Sequence, residues 1–194
     1  MKFTFLDMRQ LAYSLYDCSG DVTAPVCDPC LLNEIEHGRV RGVAYIANDY
    51  YATLAADPEN IDTWTDGITA GKIFIIPATQ GSFDGGAAVE ASGYGDADTK
   101  VIGYKFTLTY KDPTLNGNTP FYNTIKNSGN YHVAFRTETL TRISTSPATA
   151  KPKAPVADDL NSEVVWEVEV TFSQPDHSVP FVTPVDLFTC AVLG

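Results

Sequence analysis

Three of the four cysteines, Cys18, Cys27 and Cys30, fall within thirteen residues, and Cys27-Asp28-Pro29-Cys30 has the CxxC spacing of a thiolate pair. With Cys190 they could converge tetrahedrally on zinc and tie the two ends of the chain together. A second CxxC is missing, and a disulfide or free thiols accommodate the same residues, so no cofactor is expected and the three cysteine states stay open. A redox CxxC needs a helix N-terminus, which the proline and turn formers around 27–30 do not supply. His37, His132 and His177 are scattered, without a His or carboxylate partner at metal-ligand spacing, and read as packing or surface residues. Asp84, Asp96 and Asp98, with Asp158 and Asp159, offer the hard oxygens that calcium takes, but their spacing is not that of an EF-hand. Glu167 and Glu169 share one face of a strand; paired-carboxylate hydrolysis would need a facing partner about 5 to 9 Å away. Serine hydrolase, kinase and P-loop patterns are absent, and Gly93-Tyr94-Gly95 does not continue into a dinucleotide fingerprint. The chain is therefore expected not to be an enzyme.

The elements that must position these residues are mostly strands. The 194 residues, 44 % apolar and 11 % aromatic, suit one β-rich domain over 1–194, mostly antiparallel, a β-sandwich or barrel-like fold with two short helices and two long loops. A net charge of −11 works against binding DNA, RNA or anionic lipid. No apolar run approaches the roughly 20 residues that cross a bilayer, and Asp7 interrupts any signal-peptide core, so no membrane span and no secretion by that route are expected.

Residues 1–33 read as an irregular lead-in, followed by a strand at 40–46 and a short helix through Trp64 and Ile68, closed by Gly71. Ile73-Phe74-Ile75-Ile76 reads as a buried strand. Residues 78–100, with five glycines, read as a long loop. Ile102, Tyr104, Phe106, Leu108 and Tyr110 then alternate with polar residues, and a second helix opens at Thr119-Pro120. Two further strands, at 131–136 and 140–144, form a hairpin. The proline-rich stretch 145–159 reads as an extended arm denied a ladder, and the last strand spans 163–172. Loops this long usually bind something, which makes Phe83, Tyr94, Asp96, Pro152 and Pro155 candidate subunit contacts.

The strings Gly93-Tyr94-Gly95-Asp96, Gly103-Tyr104-Lys105-Phe106-Thr107-Leu108-Thr109-Tyr110-Lys111-Asp112-Pro113, Phe121-Tyr122-Asn123, the strand ending at Arg136, and Val164-Val165-Trp166-Glu167-Val168 resemble structural virion proteins of Bacteroidetes phages, crAss-like phages included. They cover less than half of the chain and are sheet, turn and cap residues. The resemblance implies a tail tube or tail ring subunit, made in the bacterial cytoplasm and residing in the virion. It implies a homo-oligomeric ring beside neighbouring virion proteins, through which DNA passes without specific binding. It carries no catalytic residues. An acidic strand face, Glu167 and Glu169, would suit the lumen wall, where clustered lysine or arginine would hold phosphate. The alternatives are a capsid decoration protein, a connector adaptor, or a β-sandwich module that binds carbohydrate or another ligand with Trp64 and Tyr94 as stacking platforms.

Overall fold

Apolar residues fill every position of the run Val43-Ala44-Tyr45-Ile46, as expected of a strand covered on both faces. In the computed structural model, which describes residues 36, 38–93, 99–126, 128–156, 158 and 163–189, all four are at most 1 % exposed. They form β1 (Gly42–Ala47), which lies inside a five-stranded antiparallel sheet ordered β10 (Phe181–Val182), β7 (Leu140–Ile143), β6 (Tyr131–Arg136), β1, β2 (Ile73–Ile76). We call this the inner sheet. The outer sheet is ordered β3 (Gln80–Phe83), β5 (Lys100–Asp112), β9 (Trp166–Gln174), β8 (Thr149–Lys153), with β4 (Ala87–Ala91) also paired to β5.

Strand alternation sorts the side chains into two cores. Val43 and Tyr45, with Val133 and Phe135, pack against Phe106, Leu108, Val168 and Val170 of the outer sheet. Ala44 and Ile46, with Ile73 and Ala134, meet Leu54 and Trp64 and the later residues Leu187 and Phe188. Leu54 and Trp64 belong to α1 (Asn48–Ala56) and α2 (Ile61–Thr69), so the layers run outer sheet, inner sheet, helices. A third helix, α3 (Thr119–Ile125), inserts Tyr122 and Ile125 into the core between the sheets. Isolated bridges Val40–Gly81 and Tyr131–Ala148 join the sheets at their margins without closing a barrel.

The expected helix through Trp64 is α2: the Asn60 side chain accepts from the Asp62 amide at 3.0 Å, and Gly71 follows its end at φ +67°. The expected helix at Thr119-Pro120 is α3, and the expected hairpin is β6–β7. Three expectations are corrected. Residues 78–100 are not one long loop, because β3 and β4 add to successive lengths of the same edge of β5. Gly81 allows that pairing, since a Cβ there would lie 2.2 Å from the Thr109 carbonyl oxygen. Between the two strands Gly85 and Gly86 take φ of +79° and +93°, and Asp84 Oδ1 accepts from the amides of Gly86 and Thr107 at 3.0 Å each.

The second correction is the arm at 145–159, which contains β8 paired to β9 from Thr149↔Thr171 to Lys153↔Glu167. Pro152 is tolerated opposite Val168 because β8 is an edge strand with one side free of a ladder. The third is α1, a third helix that follows β1 with no intervening breaker and buries only Leu54. Ten strands among the described residues thus replace the expected six or so. The lead-in 1–33 and all four cysteines lie outside the described residues.

Two polar arrangements lock this frame. Inside the sandwich Tyr45 and Tyr110 share a 2.8 Å hydroxyl contact, and the Tyr122 hydroxyl, 3.4 Å from that of Tyr110, donates to Asp112 Oδ2 at 2.9 Å. Asp112 is 1 % exposed and also accepts from Thr114 N and Asn118 Nδ2, so its burial is compensated by hydrogen bonds. At the β6–β7 turn Glu36 Oε1 accepts from the amides of Glu138, Thr139 and Leu140, at 2.6, 2.8 and 3.2 Å. Burial pushes that carboxyl up, but hydrogen bonds from Thr137 and Thr139 outweigh it and hold the pKa at about 2.

Candidate functional site

The outer face of the outer sheet is built by odd-numbered residues of three strands whose even-numbered residues enter the core. Registers bring Lys111, Glu167 and Lys153 into one row across β5, β9 and β8, and Thr109, Glu169 and Lys151 into the next. Glu167 accepts from Lys111 at 3.1 Å and from Lys153 at 3.0 Å, and Glu169 pairs with Lys151 at 3.4 Å. Hydrogen bonds from Lys153 and Lys111 draw the Glu167 carboxyl below its ordinary pKa. Ser82 on β3 extends the second row through a 2.9 Å contact with the Thr109 hydroxyl. An open groove of about 640 Å³ runs over this face, lined by Arg39, Gln80, Ser82, Lys111, Glu163 and Glu167 among others.

Glu167 and Glu169 thus share the expected face, but that face is not acidic. Exposed Lys105, Lys111, Lys151 and Lys153 outnumber them there, because strands distant in sequence lay their lysines on either side of β9. Reading β9 by itself misses this.

A second surface projects from the sheet. β5 pairs with β9 only from Tyr104 onward, so, among the described residues, residues 100–103 are paired with β4 alone, as a two-stranded ribbon. The register shifts there: Val89 opposes Gly103 and Glu90 opposes Val101, which leaves Ile102 as the extra residue of a bulge. Val89, Val101 and Ile102 are 39 %, 51 % and 62 % exposed. Such a ribbon is marginal in water without something against it.

The remaining candidates separate. Phe83 is not on an exposed loop; it ends β3 and packs at 4.6 Å from Phe135 and 5.6 Å from Phe106, beside a pocket of about 250 Å³ that Arg142 and His177 also line. Pro152 is a half-buried ladder residue, whereas Pro155 is exposed and borders the neighbouring part of the groove. Tyr94 and Asp96 lie outside the described residues, as do Asp98 and His37. Trp64 offers no stacking platform: it is fully buried, and its Nε1 donates to the Pro58 carbonyl at 2.9 Å.

His132 is a packed residue. Its ring stacks on Tyr51 at 3.8 Å, with Nδ1 2.9 Å from the Ser144 carbonyl and Nε2 3.0 Å from Asn48 Oδ1; burial lowers its pKa despite the Ser144 contact. Among the described residues no three His, Cys, Asp or Glu side chains converge to hold a metal ion, and no helix is long and apolar enough to cross a membrane. In comparisons with known proteins, no family model, no curated protein and no solved structure matches this chain.

Proposed function

We propose that the chain is a structural subunit of a bacteriophage virion, a tail tube or tail ring protein that assembles with copies of itself into a ring through which DNA passes. The observation that carries the self-assembly is the β4–β5 ribbon, whose Val89, Val101 and Ile102 stand in solvent on a two-stranded extension of the sheet. A neighbouring subunit would bury these side chains at about 25 cal/mol per Å² of apolar surface removed from water. The virion assignment adds the resemblance of the 93–172 strings to phage structural proteins. In this reading Glu167 and Glu169 belong to a subunit contact rather than to the DNA-facing wall, because the lysines paired with them leave no acidic wall there to repel phosphate.

The test is the mass of the purified chain by light scattering over a concentration series, with negative-stain imaging of what forms. Rings or tubes of uniform diameter are expected, and Ile102→Asp should abolish them while leaving the circular dichroism spectrum unchanged. A single-subunit mass at every concentration would overturn the reading. Assembly only on a preformed capsid or connector would favour the decoration or adaptor role instead.

A further inference from the structure

The layer order separates charge. The outer sheet and its groove present five cations, Arg39, Lys105, Lys111, Lys151 and Lys153, against Glu163, Glu167 and Glu169. On the opposite side of the molecule, α1, α2 and their connection present exposed Asp49, Asp57, Glu59, Asp62 and Asp66, and the nearby Lys72 is committed to Asp49. In a chain of net charge −11, one broad face is thus net positive while the face behind it is strongly negative.

We propose that the lysine-bearing outer face of the β3–β5–β9–β8 sheet docks onto the acidic helical face of a second copy of this chain, head to tail. The inference rests on the self-assembly reading above and adds a second contact to that of the ribbon. Face-to-face pairing of two identical sheets would set lysines against lysines, and pairing of two helical layers would set carboxylates against carboxylates; like charges facing each other disfavour both. The complementary faces lie on opposite sides of one subunit, so each contact leaves both faces available for the next copy. Such a heterologous interface closes into a ring or grows as a stack, according to the rotation per step. A nucleic acid is the weaker occupant, because Glu167 and Glu169 sit in the middle of the lysine rows and the chain as a whole repels phosphate.

The test measures association by sedimentation velocity for the wild-type chain, a sheet-face variant (Lys111→Glu, Lys151→Glu, Lys153→Glu) and a helix-face variant (Asp57→Lys, Glu59→Lys, Asp66→Lys). Each variant by itself should associate at least about tenfold more weakly than wild type, and an equimolar mixture should recover the wild-type sizes, since each reversed face then meets its complement. Recovery in the mixture also shows that both variants fold. Wild-type association should weaken as salt rises from about 0.1 M to about 1 M, where the screening length shrinks from about 10 Å to about 3 Å. Wild-type assembly that ignores both reversals and salt would overturn this contact and leave the self-assembly reading intact. A wild-type chain that is monomeric throughout would overturn both.

Discussion

The two sheets bury their strands differently. In the inner sheet β1 is covered on both sides, and Val43, Ala44, Tyr45 and Ile46 are all buried. In the outer sheet β5 alternates: Phe106, Leu108 and Tyr110 are at most 2 % exposed, while Lys105, Thr109 and Lys111 stand in solvent. The centre of the inner sheet is a scaffold with no free face, so among the described residues the broad surfaces are the outer sheet, the helical layer and the ribbon. A sheet covered on both sides also tolerates substitution least, since every residue on it has packing to lose.

That contrast can be broken by mutation. Trp64→Ala, beneath the inner sheet, should cost about 3–5 kcal/mol, while Thr107→Ala on the outer face should stay within about 0.5 kcal/mol, both read from denaturant midpoints. Equal costs would mean that the outer face is as packed as the inner one. Between these extremes, Tyr110→Phe removes the hydroxyl that Tyr45 and Tyr122 share and should destabilise by about 1–3 kcal/mol. A neutral effect there would show that the buried hydroxyl chain contributes nothing net.

Acid should loosen the inner sheet's margins in two stages. The His132 pKa lies below its ordinary 6.5 and that of Glu36, at about 2, below 4.5, so at each site the unfolded chain takes up the proton first. The stabilisation from each is complete above its unfolded value. It is lost below pH 6.5 for His132 and between about 4.5 and about 2 for Glu36. Glu36→Gln should therefore flatten the lower limb of a stability-against-pH curve, and an unchanged limb would refute the role given to this carboxylate. The smallest effect belongs to Lys153→Ala, a surface ion-pair change that should leave the thermal midpoint unmoved while weakening association.

Much of the fold is legible residue by residue. The alternation in β5 and β9, the apolar run of β2, the Gly71 stop after α2 and the Thr119-Pro120 start each announce their element locally. What escaped were elements whose stability comes from a neighbour. β3 and β4 carry glycines and exposed side chains and exist because they line the edge of β5, and β8 accepts a proline because it is an edge. The helix α1 had a fainter signal, the alanines of Asn48–Ala56, which favour helix without an apolar stripe.

The amino-acid sequence by itself determined that this is a β-rich, strongly acidic chain, because strand alternation and net charge are local or additive properties. Only the tertiary structure decided where the charge resides. Lys111, Lys151 and Lys153 come from β5 and β8, and the antiparallel registers that set them against Glu167 and Glu169 of β9 arise when the apolar faces of those strands pack on one core. That packing turned an apparently acidic strand into the centre of a lysine-rich face.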